Sequence, residues 1–159
     1  MYERMIKILD RISYGLLTLA MALMTGLVIA QVFTRYVLGS SIDSADELSR
    51  LFFVWAIFLA IPFGVRYGVH VGIDLLVTRL SQAPRLLVAR LMTAFSATLM
   101  ACVIYASVIA TFEKWDELMP TLNMTAAVYY IPIVICGVHS LLHLVRQLLG
   151  NPLDQEIMP

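Results

Sequence analysis

Two of the chain's three histidines, His139 and His143, stand four residues apart inside an apolar run. At that spacing both imidazoles share one face of a helix. Such a pair can bind a metal ion or haem, relay protons, or act as hydrogen-bonding struts. Haem wants axial imidazoles from opposite sides of its ring, which one helix face does not supply. A metal needs a third ligand, and no Cys or acidic residue is expected at matching depth. The pair therefore reads as structural hydrogen bonding. The third histidine, His70, precedes Asp74 by four residues, a spacing suited to bracing a helical turn. Cys102 and Cys136 fall inside apolar runs and read as small buried hydrophobes. No nucleotide loop, Gly-x-Gly-x-x-Gly pattern, hydrolase elbow or paired carboxylates occurs, so neither catalysis nor a cofactor is expected.

These residues sit in a chain that is 60% hydrophobic and 14% charged over 159 residues, with no net charge. A core of this size cannot hide so much apolar surface, and lipid is the remaining place for it. Electroneutrality removes any reason to invoke nucleic acid. Four segments have the length to cross a bilayer, at about 12–34, 48–66, 91–112 and 126–148. Lipid offers backbone amides no partner, so each must be helical. The fold class is all-α integral membrane, one domain over 1–159 with four transmembrane helices. The first run is too long for a signal h-region and lacks a small-x-small cleavage site, so it reads as a retained span.

Charge orients the spans. Arg4, Lys7 and Arg11 precede the first; Arg66, Arg79, Arg85 and Arg90 lie between the second and third; Arg146 ends the fourth. The opposite side holds Arg35, Arg50 and Lys114 among six acidic residues. The positive-inside rule then expects both termini in the cytoplasm. Trp115, Tyr129 and Tyr130 are expected at the outer interface.

Local signals fill in the connections. Ser44 and Glu47 fit a capping box opening the second helix, with Glu47 facing Arg50 one turn on. In the stretch from Tyr67 to Pro84, Ile73, Leu76, Val77 and Leu80 recur at helical spacing, which suggests an amphipathic segment at the cytoplasmic surface. Gly64, Gly68 and Gly72 suit either close helix approach or a flexible joint. Pro62 and Pro132 are expected to kink spans two and four. The apolar interiors of all four spans lack Asp, Glu, Lys and Arg. A carrier needs such groups near the midplane, so a scaffold is the better reading.

The ordered set Arg35-Tyr36-Val37, Asp46-Glu47-Leu48, Trp55, Phe58-Leu59, Arg66, His70 and Asp74 resembles the small membrane subunit (Q, or DctQ-type) of tripartite ATP-independent periplasmic (TRAP) transporters. The stretch from Pro120 to Pro132, with Tyr129 and Tyr130, is similar to that family's entry into its last helix. Ala60, Gly72 and Ser44 depart from the pattern. The resemblance implies a bacterial inner-membrane scaffold paired with a large membrane subunit that carries the sodium and substrate sites. A periplasmic binding protein would deliver an organic anion such as a C4-dicarboxylate or sialic acid. It also implies roles: Arg35, Glu47 and Arg50 at the periplasmic edge, Trp55 against the large subunit or lipid, and Arg66, His70 and Asp74 at the inner turn. Competing readings are the small subunit of a tripartite tricarboxylate transporter and a b-type cytochrome or other electron-transfer anchor.

Overall fold

The computed structural model describes residues 2–40, 42–66 and 81–150. His70, Asp74, Gly68, Gly72 and the amphipathic segment expected around 73–80 lie outside the described residues. Among those described, four helices are long and apolar enough to cross a membrane. They are α1 (Tyr2–Val37), α2 (Asp43–Arg66), α3 (Gln82–Glu113) and α4 (Ile131–Leu149), with a short 3-10 helix at Ala126–Tyr129 leading into α4. The all-α, four-span fold is the one the composition demands.

Each helix boundary has a local cause. α1 stops where Gly39 takes a left-handed backbone (φ +64°) that other residues adopt only with strain. The amides of Leu38 and Ser40 then fold back onto the Thr34 carbonyl, closing the helix end. α2 opens at Asp43, with Asp43 and Asp46 in a first turn whose dipole favours acidic groups. Ser44 is therefore already inside the helix, and the Glu47 carboxylate reaches another segment rather than completing a capping box. Pro62 lies within α2. Pro132 instead falls in the first turn of α4, where its missing N–H costs nothing, so it starts the helix rather than kinking it.

Isolated hydroxyls in the spans turn inward on their own helices. Thr18, Thr25, Thr93, Thr98, Ser107 and Thr111 each donate to the carbonyl four residues back. This satisfies the hydroxyl where lipid cannot.

The helices pack in the order α1, α2, α4, α3. α4 lies between α2 and α3 and buries Cys136, Gly137, His139, Ser140, His143 and Leu144. Gly137 is the point of closest approach to α3. A Cβ there would lie 2.6 Å from Cγ1 of Ile104, nearer than packed carbons tolerate. The flanking helices are the exposed ones. Tyr14, Leu19, Ile29 and Phe33 on α1, and Phe95, Leu99, Tyr105 and Phe112 on α3, present large apolar side chains outward.

Candidate functional site

A stripe of α1 at spacings of four, three and seven residues, Ile6, Asp10, Ser13 and Ala20, is buried against the bundle. Three of these residues are unremarkable for their places, but Asp10 is a carboxylate only 6% exposed. A buried charge must be paired and hydrogen-bonded to persist, and Asp10 is both. Its Oδ2 accepts from Arg66 Nη1 at 2.7 Å, tying α1 to the end of α2. Its Oδ1 lies 2.7 Å from His139 Nε2 and 3.0 Å from His143 Nε2, tying α1 to α4. The two Nε2 atoms are 3.2 Å apart.

A second layer of contacts holds this group. Ser13 Oγ is 3.2 Å from His139 Nδ1, so both ring nitrogens of His139 are engaged by α1. Phe63 meets the His139 ring edge-on with centroids 6.3 Å apart, and Tyr14 meets Phe63 in the same way. Beside them, the Gln147 amide donates to the Val65 carbonyl at 3.1 Å, joining α4 to α2. Three helices thus converge on one polar cluster, near the start of α1, at the last turn of α2 and along α4.

Asp10 supplies the acidic group that the chain was expected to lack near His139 and His143. Asp10, His139 and His143 each bring one ligand atom to within 4.8 Å of the others, so the expected absence of a third metal ligand does not hold. The composition-level reading passes over Asp10 because it sits in a charged flank with Arg4, Lys7 and Arg11. Its burial beside Ile6 and Ser13, which the sequence does not display, sets it apart.

The opposite end of the bundle is tied by the other sequence-derived residues. The backbone N–H of Thr121 donates to Glu47 Oε2 at 2.7 Å, and the Thr121 hydroxyl donates to the same oxygen. The Tyr129 hydroxyl donates to the Glu47 carbonyl at 3.3 Å. Trp55 donates its indole N–H to the Val128 carbonyl at 3.1 Å, anchoring the 3-10 helix on α2. Thr125 stabilises the same connection, its hydroxyl meeting the carbonyls of Lys114 and Trp115 and accepting from the Ala127 amide. Lys114 pairs with Glu117 at 2.6 Å, and that hydrogen bond, then the charge itself, hold the ammonium above its ordinary pKa. Arg35 and Arg50 are exposed at this end.

The structure therefore separates the candidate residues into two groups. Glu47 and Trp55 belong to one end; Arg66 joins Asp10, His139 and His143 at the other. In this geometry both groups fix helix positions.

Comparison with known proteins agrees in kind. The family described as "Tripartite ATP-independent periplasmic transporters, DctQ component" matches residues 24–151. A Vibrio cholerae protein named C4-dicarboxylate TRAP transporter small permease protein DctQ is 28% identical over 79% of this chain, and the match spans 51% of that relative. The Halomonas elongata ectoine TRAP transporter small permease protein TeaB is 22% identical over 89% of this chain and 76% of its own length. A Haemophilus influenzae putative TRAP transporter small permease protein is 24% identical over 86% of the chain and 83% of its own length. With a family match across most of its length, four apolar helices and polar ties at both bundle ends, this chain belongs to the DctQ component family of tripartite ATP-independent periplasmic transporters.

Proposed function

We propose that this chain is a non-catalytic scaffold subunit of a sodium-coupled TRAP carrier that takes up an organic anion. It sits in a bacterial inner membrane with both termini in the cytoplasm. It pairs with a large membrane subunit that moves the substrate, and a periplasmic binding protein delivers that substrate. The observation that carries this reading is the placement of the charged and polar side chains. The interiors of the four spans hold no Asp, Glu, Lys or Arg. The buried ionisable groups Asp10, His139 and His143 lie at one end and are occupied in joining α1, α2 and α4. A transport pathway needs polar groups at the midplane, whereas a fixed support needs rigid helices and an apolar outer surface.

The exposed apolar faces of α1 and α3 are the surfaces available to lipid and to the large subunit. In this reading Arg35, Glu47 and Arg50 stand at the periplasmic edge, where Arg35 and Arg50 meet the binding protein or a neighbouring helix end. Arg66, His70 and Asp74 belong to the cytoplasmic edge. The two named substrates of the relatives, C4-dicarboxylate and ectoine, differ from each other, in line with a small subunit that does not select the solute.

Co-purification from native membranes tests the partnership. The chain is expected to bring down one larger membrane protein, and its isolation in a pure state with no such companion would count against the proposal.

A further inference from the structure

We propose that Asp10, His139 and His143 form a binding site for one divalent transition-metal ion, clipping the start of α1 to the end of α4. The inference is independent of the chain's place in a carrier. It rests on how three donor atoms from positions far apart in the sequence meet.

Asp10 Oδ1, His139 Nε2 and His143 Nε2 mark a triangle with edges of 2.7, 3.0 and 3.2 Å. Zinc–nitrogen and zinc–carboxylate bonds run about 2.0–2.2 Å. An ion at that distance from all three atoms would stand about 1 Å above the triangle's plane, with no helix displaced. The donor–metal–donor angles would be near 90°, the arrangement of three donors on one face of a coordination sphere. Two histidines at i, i+4 on a helix, completed by a carboxylate from elsewhere, form a recurrent transition-metal ligand set.

The surroundings meet the other requirements of such a site. All three residues are buried, at 6%, 1% and 2% exposure, so the donors are held in place. Ser13 lies at hydrogen-bond distance from Nδ1 of His139, leaving Nε2 to the ion and fixing the ring orientation. Arg66 holds Oδ2 of Asp10, which aims Oδ1 at the imidazoles. A groove of about 640 Å³, lined by Lys7, Asp10, Arg11, Tyr14 and Arg66 among others, opens beside Asp10. Three protein donors leave room for water as a further ligand.

The test uses the full chain, alone and with any co-purifying membrane partner, in detergent. It is stripped with chelator, loaded with Zn²⁺ or Co²⁺ and dialysed. Elemental analysis is expected to find one ion per chain, and the Co²⁺ form is expected to show ligand-field absorption. Asp10→Asn and His143→Gln should bring the ion content down to that of the detergent blank, while Cys102→Ser leaves it unchanged. X-ray absorption of the Zn²⁺-loaded unmodified protein needs no variant and should show two imidazole ligands without sulfur. Content at the blank level in the unmodified chain would overturn the proposal. So would full occupancy in both variants, which is an adventitious ion only, or a sulfur shell.

Discussion

Arg66, the last residue of α2, is paired at 2.7 Å with Asp10, a residue from the opening turns of α1. The side chains are 22% and 7% exposed, so the carboxylate is the more deeply buried partner. Asp10 is also shared by His139 and His143, and that sharing decides which substitution does more damage. Removing Asp10 leaves a guanidinium and two imidazoles facing one another without their shared acceptor. Asp10→Ala is expected to destabilise the chain by about 3–5 kcal/mol, the usual cost of breaking a buried pair from one side. Arg66→Gln should cost less, because Asp10 keeps His139 and His143. Thermal unfolding in detergent measures both. An Asp10→Ala variant as stable as the parent would show the pair to be incidental.

At the other end, Glu47 and Thr121 test whether the connection after α3 is held by side chains. Glu47→Gln and Thr121→Val each weaken the paired hydrogen bonds to Glu47 Oε2. Faster amide hydrogen exchange at Thr121 is expected in both, with little change in the middle of the spans. Exchange at Thr121 as slow as in the parent would mean that the backbone contact Met119 to Met124 holds the loop by itself.

Trp55→Phe keeps the aromatic volume but loses the indole donor, leaving the Val128 carbonyl without that partner. A net hydrogen bond is worth about 0.5–1.5 kcal/mol, and the melting temperature should fall accordingly. If Trp55 also packs on the large subunit, Trp55→Ala should lower complex yield well beyond Trp55→Phe. Equal yields would confine its role to this chain.

Gly137 offers a packing test. The added methyl of Gly137→Ala would press on Ile104 at 2.6 Å and push α3 from α4. Overpacking of this kind costs about 1–3 kcal/mol. Combining it with Ile104→Ala should recover most of the loss, since the colliding atoms are then gone. Failure of that rescue would place the strain in the backbone instead.

The sequence made the spans legible, because a 60% hydrophobic chain without midplane charge has few other ways to bury itself. It also marked Glu47 and Arg66 near the ends of α2 and Trp55 between them. It did not reveal the partners, and the reason is distance. His139 and Asp10 are 129 positions apart, and no local periodicity says that α1 meets α4 there. Asp10 looked like one more charge in a basic flank, and only its burial distinguishes it. Pro132 likewise looked internal to a span because the 3-10 helix Ala126–Tyr129 shares the apolar composition of α4. The connection that sets Thr121 under Glu47 depends on Thr125 and backbone pairing between Leu118 and Thr125, which composition does not encode.

The central claim is that the chain supports transport without forming the pathway. The most direct measurement is solute uptake by proteoliposomes containing the large membrane partner and binding protein, with an imposed sodium gradient, with and without this chain. Uptake is expected to require the chain and to survive substitution of the hydroxyls inside its spans, such as Thr25→Val and Thr98→Val. Full uptake without the chain would contradict the scaffold role, and loss of uptake in those variants with the complex intact would contradict the absence of a pathway.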